Sequence, residues 1–259
     1  LHRLIRRQRQ MCIRDRYMGC EKLSKKWNGF SVTKRYFGLR KYFIVEPEKR
    51  KENNCWIWRT EFFGAFPYAD IDMLKKGYVL VYIDMHDMYG APKAIALMEK
   101  FYSFVTEKYN LNKKTILFGF SRGGLYSINF AAANPDKIES LYLDAPVVDI
   151  NSWPFGLGKG KGSEEDSVKC EKLYGVKRGD PQIKEKAKRK IKILSENKIP
   201  IILVSGDSDS VVPYEENGAI IKENYDKDFI KVIIKPGCDH HPHSIDPPDE
   251  ITEFLISKQ

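Results

Sequence analysis

The sequence has no apolar stretch long enough to cross a bilayer, which takes about 20 residues as a helix. It has only five cysteines in 259 residues, and no two of them form a C-x-x-C pair. This spacing excludes a disulfide framework and a zinc ribbon. No internal repeat is visible. With 42% hydrophobic and 31% charged residues, the chain has the composition of one large α/β domain with a full core.

The positive charge of the chain is concentrated at its N-terminus. The formal net charge is +9, which by itself would indicate a polyanionic partner. Residues 1–16 hold six arginines and one aspartate, a net +5, so the remainder carries +4, an ordinary value for a soluble domain. Residues 11–16 also resemble one reading frame of a transposon-end oligonucleotide used in sequencing libraries. We therefore predict that residues 1–17 are a non-native tail, and we expect no nucleic-acid partner, although a genuine basic arm would have a similar composition.

The compartment depends on the true start of the protein. If Met18 is the initiator, the chain has no signal sequence and we expect a cytoplasmic protein. If an upstream apolar segment has been overwritten, the protein is periplasmic or secreted, and Gly19-Cys20 would suit a lipid-modified cysteine. The sequence leaves the compartment and the oligomeric state open.

From Trp27 onward, strand-like and helix-like segments alternate, which is typical of a mostly parallel sheet with helices on both faces. The first two predicted strands form an antiparallel hairpin that turns at Gly38. Helical spacing of apolar residues predicts helices over Pro92–Tyr109 and Asp249–Ser257. Eight strands are predicted in all, namely Phe30–Thr33, Lys41–Glu46, Cys55–Arg59, Tyr78–Ile83, Thr115–Phe118, Ile138–Ala145, Ile201–Ser205 and Phe229–Lys235.

Residues 18–259 are predicted to be one domain, in which an insertion at about 147–198 follows the sixth strand as a short lid. The insertion opens with the glycine- and lysine-rich stretch 153–162. This stretch lacks the G-x-x-x-x-G-K-[ST] pattern of a phosphate loop, which favours a mobile surface loop. Residues 184–192 are strongly basic, and apolar residues recur among and beside them at helical spacing. This pattern predicts a helix whose basic face is solvated. That stripe consists of Ile183, Ala187, Ile191 and Leu194.

Residues 119–124, Gly-Phe-Ser-Arg-Gly-Gly, join the fifth predicted strand to a helical pattern. A G-x-S-x-G turn at such a junction is a nucleophile elbow, in which a strained turn lifts the serine hydroxyl out of the sheet. Ser121 is therefore the candidate nucleophile, and the backbone N–H of Arg122 is a candidate oxyanion donor. A serine that merely caps the helix would fit the same five residues, so its partners decide the interpretation.

A serine nucleophile needs a base that takes its proton and an acid that orients the base. Two aspartates, Asp207 and Asp209, follow the seventh predicted strand. We predict Asp209 as the acid, because G-D-x-D-x-V-V-P resembles the acid loop of many α/β-hydrolases, whose acid is the second aspartate. Asp207 is expected to hold the turn, and an ordinary Asx-turn is the alternative for both residues.

Three of the five histidines lie in residues 237–243, just after the eighth predicted strand. His240 is the predicted base, because it follows the strand in a G-x-x-H turn, while His241 and His243 are expected to pack or to face the substrate. With Asp239 and Asp246 the loop also contains metal-ligand types. Adjacent histidines in an extended loop point in different directions, however, and no second cluster completes a site. We predict no metal and no cofactor.

Serine, acid and histidine follow in the order of α/β-hydrolases, each after a predicted strand. From Trp27 to Ser257 the chain resembles the α/β-hydrolase superfamily. Within it, Trp58–Gly64, Asp87–Gly90 and the His-His-Pro-His loop look like bacterial esterase-like and prolyl-oligopeptidase-like serine hydrolases. The resemblance implies the α/β-hydrolase fold.

The chain departs from many lipases and esterases, which carry H-G-G-G after the third strand, because it has Arg59–Gly64 there. The second oxyanion donor is expected to be a backbone N–H in this loop, of Glu61 or Thr60. A Glu61 carboxylate that faces the pocket would bind a substrate hydroxyl or ammonium; the alternative is an exposed or Arg59-paired side chain. Core packing is the alternative for the aromatic pocket residues. The candidate pocket residues are Phe62, Asp87, Trp153 and His243.

The sequence thus predicts a serine hydrolase that cleaves a carboxylic ester of a small molecule, with an acyl group on a carbohydrate as a refinement. Ser121, His240 and Asp209 carry the reaction in this prediction. A small peptidase or aminopeptidase is one alternative, although such enzymes normally have a propeller or a larger cap domain. The other alternative is a non-catalytic binding protein of the same fold, which the filled triad positions disfavour.

Overall fold

The computed structural model describes residues 25–257. The predictions for residues 1–17, Met18 and Gly19-Cys20 therefore lie outside the described residues. Within the described range, no helix combines the length and the apolar character that a membrane crossing requires.

The described residues form one nine-stranded sheet. Its strands are β1 (Lys25–Trp27), β2 (Phe30–Phe37), β3 (Arg40–Glu46), β4 (Trp56–Arg59), β5 (Val79–Ile83), β6 (Thr115–Phe120), β7 (Ile138–Asp144), β8 (Ile201–Gly206) and β9 (Ile230–Lys235). They are ordered β1-β2-β3-β5-β4-β6-β7-β8-β9. The pairs β1/β2, β2/β3 and β3/β5 are antiparallel, and the other pairs are parallel.

The mostly parallel sheet and the leading hairpin are confirmed, but the predicted count of eight strands is wrong by one. The additional strand is β1, whose sequence Lys-Lys-Trp is too short and too polar to show a strand pattern. It forms because β2 offers an unpaired edge, to which Lys25–Trp27 adds in antiparallel register. The insertion predicted after the sixth strand therefore follows β7.

Between residues 25 and 257, seven α-helices cover both faces of the sheet. They are α1 (Tyr68–Lys75), α2 (Pro92–Lys108), α3 (Gly123–Ala133), α4 (Glu164–Tyr174), α5 (Gln182–Glu196), α6 (Gly218–Glu223) and α7 (Asp249–Ser257). Successive strand residues point to opposite faces. Trp56 and Trp58 thus join the core beneath α2, α3, α5 and α6, whereas Ile57 joins the core beneath α1 and α7. Burial on both faces explains why these strands are almost continuously apolar.

The predicted insertion contains two helices with different surroundings. Helix α5 packs Ala187, Ile191 and Leu194 into the main core, as its apolar stripe predicts. Helix α4 begins after Ser163, whose hydroxyl accepts a hydrogen bond from the Asp166 amide, and it belongs to a smaller cluster. The buried members of this cluster are Tyr89, Leu125, Val147, Ile150, Phe155, Cys170, Ile183 and Val212.

The glycine-rich stretch of the insertion lies against the loop after β8. The Lys161 amide donates to the Ser210 carbonyl oxygen at 2.8 Å, and the Lys159 amide donates to the Glu216 carboxylate. A Cβ atom on Gly160 would lie 2.7 Å from Pro213 Cδ. Close approach to protein atoms therefore accounts for this glycine.

Gly206, the last residue of β8, provides a test of how tightly the loops at this edge pack. A Cβ atom there would lie 2.1 Å from the Cys238 carbonyl oxygen, so the backbone would have to move. We expect Gly206→Ala to lower the free energy of unfolding by about 3 kcal/mol, measured by urea denaturation. The control is Gly175→Ala at the end of α4, where φ is 65° and no atom lies within 4 Å. It should cost roughly 1 kcal/mol, from backbone strain alone. Equal losses would contradict the clash.

Candidate active site

Ser121 lies between β6 and α3 with φ at 49°, in the left-handed region that residues with a side chain rarely adopt. Backbone hydrogen bonds hold it there. Its amide donates to the Asp144 carbonyl oxygen, and its own carbonyl oxygen accepts from the amides of Gly124 and Val147, each at 2.9 Å. The turn is therefore fastened to β7 on one side and to α3 on the other.

The glycines of the elbow are required by close contacts. A Cβ atom on Gly119 would lie 2.5 Å from Ser127 Oγ, and one on Gly124 would lie 2.6 Å from Pro146 Cβ. Both glycines therefore let the strand, the helix and the following loop approach each other.

A continuous hydrogen-bond chain joins Ser121, His240 and Asp209. Ser121 Oγ lies 3.0 Å from His240 Nε2, and His240 Nδ1 lies 2.8 Å from Asp209 Oδ2. The other oxygen of Asp209 accepts from the amides of Val211 and Val212, at 2.9 and 2.8 Å. Because a carboxylate accepts and does not donate, these contacts assign the imidazole proton to Nδ1 and leave the Nε2 lone pair for the serine hydroxyl.

Two further aspartates fasten the loops that carry this chain. Asp207 Oδ1 accepts from the Gly237 amide at 2.7 Å, so Asp207 has a structural role, as predicted, but it binds the loop after β9. Asp239 Oδ1 accepts from the Ser210 amide at 2.7 Å. The loop after β8 and the loop after β9 are therefore tied to each other from both sides.

His243 forms a second histidine–aspartate pair beneath His240. Its Nδ1 lies 2.8 Å from Oδ1 of Asp144, whose Oδ2 accepts from the Tyr142 hydroxyl and the Ser244 amide. Burial opposes ionisation of Asp144, but the hydrogen bonds from His243 and Tyr142 outweigh it and hold the pKa of this carboxyl below its usual value. Sequence reasoning missed Asp144. The available signal was an acid that ends an otherwise apolar strand.

The side chains of His240, His241 and His243 place one nitrogen each within 4.8 Å of one another. Both ring nitrogens of His240 and Nδ1 of His243 already form hydrogen bonds. A metal ion that bound any of these nitrogens would have to replace its hydrogen bond. His241 is exposed and stacks on Phe66, with ring centroids 5.6 Å apart. Partial loss of hydration beside Phe66 and the neighbouring imidazoles lower its pKa.

The loop after β4 approaches the elbow where the second oxyanion donor is expected. The Thr60 amide already donates to the Phe118 carbonyl oxygen at 3.1 Å. The amides of Glu61 and Arg122, in contrast, have no hydrogen-bond partner among residues 25–257. A Cβ atom on Gly123 would lie 3.1 Å from Glu61 Cβ, so the loop touches the first turn of α3. Of the two predicted donors in this loop, Glu61 is the one whose amide is available.

A buried arginine holds this loop in place of the missing glycines. The Arg59 guanidinium pairs with Asp70 at 2.8 Å and donates to the carbonyl oxygens of Glu61 and Ala65, at 3.0 and 2.8 Å. It also lies 3.5 Å from the ring centroid of Phe120, which directly precedes the nucleophile position. The loop and the end of β6 are thus packed around one cation.

The Glu61 carboxylate follows neither of the predicted alternatives. It is buried, and its Oε2 accepts from Arg122 Nε at 3.1 Å, whereas Arg59 binds only the Glu61 carbonyl oxygen. The alternative of an exposed or Arg59-paired side chain is therefore wrong. Burial raises the pKa of Glu61, and the Arg122 charge opposes this rise. The Arg122 guanidinium in turn lies 5.0 Å from the Phe62 ring centroid.

The four candidate pocket residues lie in different surroundings. Phe62 is 36% exposed beside Arg122, and Trp153 stacks on Tyr89 with centroids 6.3 Å apart. His243 is buried beside His240, with ring centroids 4.8 Å apart. Asp87 forms a two-point salt bridge with Arg40, whose hydrogen bond lowers the pKa of the carboxyl. Asp87 therefore lies at the surface, in an ion pair with Arg40.

Comparison with known proteins identifies the family and the fold of the chain. The model of the family named Esterase and described as "Putative esterase" matches residues 95–246, more than half of the chain. This range contains Ser121, Asp209 and His240. Among curated protein sequences, none matches the chain.

Several solved structures are similar to the chain. Est1E from Butyrivibrio proteoclasticus is 17% identical, with a TM-score of 0.59, over 90% of this chain and 96% of Est1E. An S-formylglutathione hydrolase from Agrobacterium tumefaciens is 15% identical, with a TM-score of 0.58, over 90% and 94% of the two chains. A putative dipeptidyl aminopeptidase IV from Bacteroides ovatus is 15% identical, with a TM-score of 0.62, over 88% of this chain but only 35% of that protein. These likenesses show the α/β-hydrolase fold.

The pair of Arg59 and Asp70 provides a stability test of the loop after β4. Asp70→Ala leaves the Arg59 cation buried without its carboxylate, so we expect the free energy of unfolding at pH 7 to fall by about 3–5 kcal/mol. The control is Glu165→Ala, which removes the nearer of the two acidic partners of exposed Lys169 and should cost less than about 1 kcal/mol. Urea denaturation measures both. A loss for Asp70→Ala no larger than that of the control would show that the buried pair does not hold the loop.

Proposed function

Because the chain belongs to the Esterase family and is a serine hydrolase of the α/β-hydrolase superfamily, we propose that it cleaves carboxylic esters of small molecules, with Ser121 as nucleophile, His240 as base and Asp209 as the orienting acid. The observation that carries the proposal is the hydrogen-bond chain from Ser121 Oγ through His240 to Asp209, at 3.0 and 2.8 Å. Each distance lies within the range of a good hydrogen bond.

Acylation begins when Ser121 Oγ attacks the ester carbonyl carbon while His240 Nε2 takes the hydroxyl proton. The imidazolium that forms is stabilised by Asp209, whose second oxygen remains bound to two backbone amides. The carbonyl oxygen becomes an oxyanion, and the free amides of Arg122 and Glu61 are the proposed donors to it. Collapse of this intermediate breaks the ester bond, and His240 gives its proton to the departing alcohol.

Deacylation repeats these steps with water. His240 Nε2 takes a proton from the water, the resulting hydroxide attacks the acyl carbonyl, and the second tetrahedral intermediate collapses to the carboxylic acid. The proton returns from His240 to Ser121 Oγ. The pair of His243 and Asp144 anchors the loop that carries His240 during both halves of the reaction.

The state of Glu61 favours an ester over an aminopeptidase substrate. Recognition of a substrate α-ammonium needs a free carboxylate, and the Glu61 carboxylate is buried against Arg122. Phe62 offers a partly exposed apolar ring beside the proposed oxyanion site. Such a ring suits an acyl chain or a sugar face, so an acylated carbohydrate is one substrate within the proposed class.

Substitution of the three proposed triad residues tests the mechanism. We expect Ser121→Ala to lower kcat for a short p-nitrophenyl ester at least about 10³-fold and to abolish labelling by a fluorophosphonate probe. His240→Ala should lose about 10²-fold or more, because the base is removed. His243→Gln is the matched comparison and should retain most of the turnover, since its proposed role is to anchor the loop. Full turnover in His240→Ala, with loss in His243→Gln, would move the base to His243.

Paired substrates test the substrate class. We expect kcat/KM for p-nitrophenyl acetate or butyrate to exceed that for aminoacyl p-nitroanilides by at least about 10²-fold, because the Glu61 carboxylate, the candidate partner for a substrate ammonium, is engaged by Arg122. Preference for the anilides would favour the peptidase alternative. Failure of the wild-type protein both to label and to turn over any of these substrates would favour the binding-protein alternative.

A further inference from the structure

A cavity of about 430 Å³ lies between α2, α3, α5 and the start of the insertion. Its volume falls in the range of small-molecule sites in proteins, roughly 300–1,000 Å³. None of the residues proposed for the ester reaction lines it. The cavity is therefore a separate feature, on a different part of the α3 surface.

The walls of this cavity are largely apolar. They come from the four helices α2, α3, α4 and α5 and from the segment after β7, so the cavity has hydrocarbon on several sides. A ligand that fills it must therefore present an apolar body to these walls. Among the apolar lining residues are Ile95, Leu125, Ile128, Val147, Val148 and Ile183.

One part of the lining is cationic. Lys190 Nζ donates to Asn129 Oδ1 at 2.6 Å, and no carboxylate within the described range lies close enough to form an ion pair with it. Lys186 also lines the cavity, as does one acid, Glu99, which accepts from the Asn134 amide group. Burial and the neighbouring Lys186 lower the pKa of the Lys190 ammonium to about 8.

The position of Lys190 departs from the sequence prediction for this helix. The basic run 184–192 is expected to face solvent, but Lys190 is partly buried against α3. An ammonium group in apolar surroundings without a counter-ion is costly, and an anionic ligand group would relieve that cost. The lining therefore combines a largely apolar wall with one site for a negatively charged ligand group.

We propose that this cavity binds a medium-chain monocarboxylate, with its carboxylate at Lys190 and its hydrocarbon chain along the apolar wall. The ligand touches elements that hold the nucleophile turn, because Val147 lines the cavity and its amide donates to the Ser121 carbonyl oxygen at 2.9 Å. The site does not depend on the proposed ester reaction. Its occupation can be measured without any turnover.

Isothermal titration of the full chain with sodium octanoate at pH 7 tests the site. We expect one molecule to bind per chain, and octan-1-ol and octyltrimethylammonium, which share the chain length, to bind at least about 10-fold more weakly. Affinity for octanoate should fall about 10-fold from pH 7 to pH 9. The reason is that Lys190, with a pKa of about 8, then loses the proton that attracts the carboxylate.

Variants locate the bound octanoate. Lys190→Met should weaken binding at least about 10-fold, and Ile95→Trp, which fills the cavity, should do the same. The control is Lys192→Met on the same helix, which removes one charge from an exposed side chain and should change affinity less than about 2-fold. Circular dichroism checks that each variant is folded.

Three results would overturn the proposal. One is the absence of octanoate binding tighter than about 1 mM. Another is binding that Lys190→Met and Ile95→Trp leave intact, since the ligand would then lie elsewhere, as in the proposed active site. The third is equal affinity for octanoate and octan-1-ol with no change between pH 7 and pH 9. The comparison of ligands and of pH uses the wild-type protein, so it decides the matter even if a variant fails to fold.

Discussion

The left-handed conformation of Ser121 is the constraint on which the candidate site depends. A residue at φ 49° does not hold that geometry by local preference, so the surrounding structure must impose it. Three backbone hydrogen bonds, to Asp144, Gly124 and Val147, do so. This packing requires glycine at positions 119 and 124, because a Cβ atom at either position would collide with neighbouring atoms.

Buried and exposed aspartates extend this constraint to the other loops at the same edge. Asp144 fastens the end of β7 to His243, and Asp207 and Asp239 cross-link the loops after β8 and β9. Asp209 carries the hydrogen bond to His240 itself. Because each carboxylate accepts from a ring nitrogen or a backbone amide of a different loop, the candidate base is held from several directions. The loop after β4 is fastened in another way, by the buried cation of Arg59.

Local patterns were sufficient to predict much of this arrangement. The strand-to-helix junction at residues 119–124 and the alternation of segments determine a doubly covered parallel sheet, since both depend on residues close together in the chain. The apolar stripe Ile183, Ala187, Ile191 and Leu194 likewise placed α5 on the core. By contrast, β1 carries almost no pattern of its own, and it exists because β2 presents an open edge. The hydrogen bond between Asp144 and His243 joins positions 99 residues apart, so no local pattern indicates this pairing.

By itself, the sequence determined the parallel sheet, the serine turn and a short range of candidates for its acid and base, because chain order and strand ends are local properties. Only the tertiary structure decided which groups meet. It joined His240 to Ser121 and Asp209, turned Glu61 toward Arg122, and drew Lys190 from a basic helix surface against Asn129. These outcomes depend on side-chain direction and on contacts between distant segments. Both are set when the elements pack together, since burial and hydrogen bonding then select among partners that the sequence alone leaves equivalent.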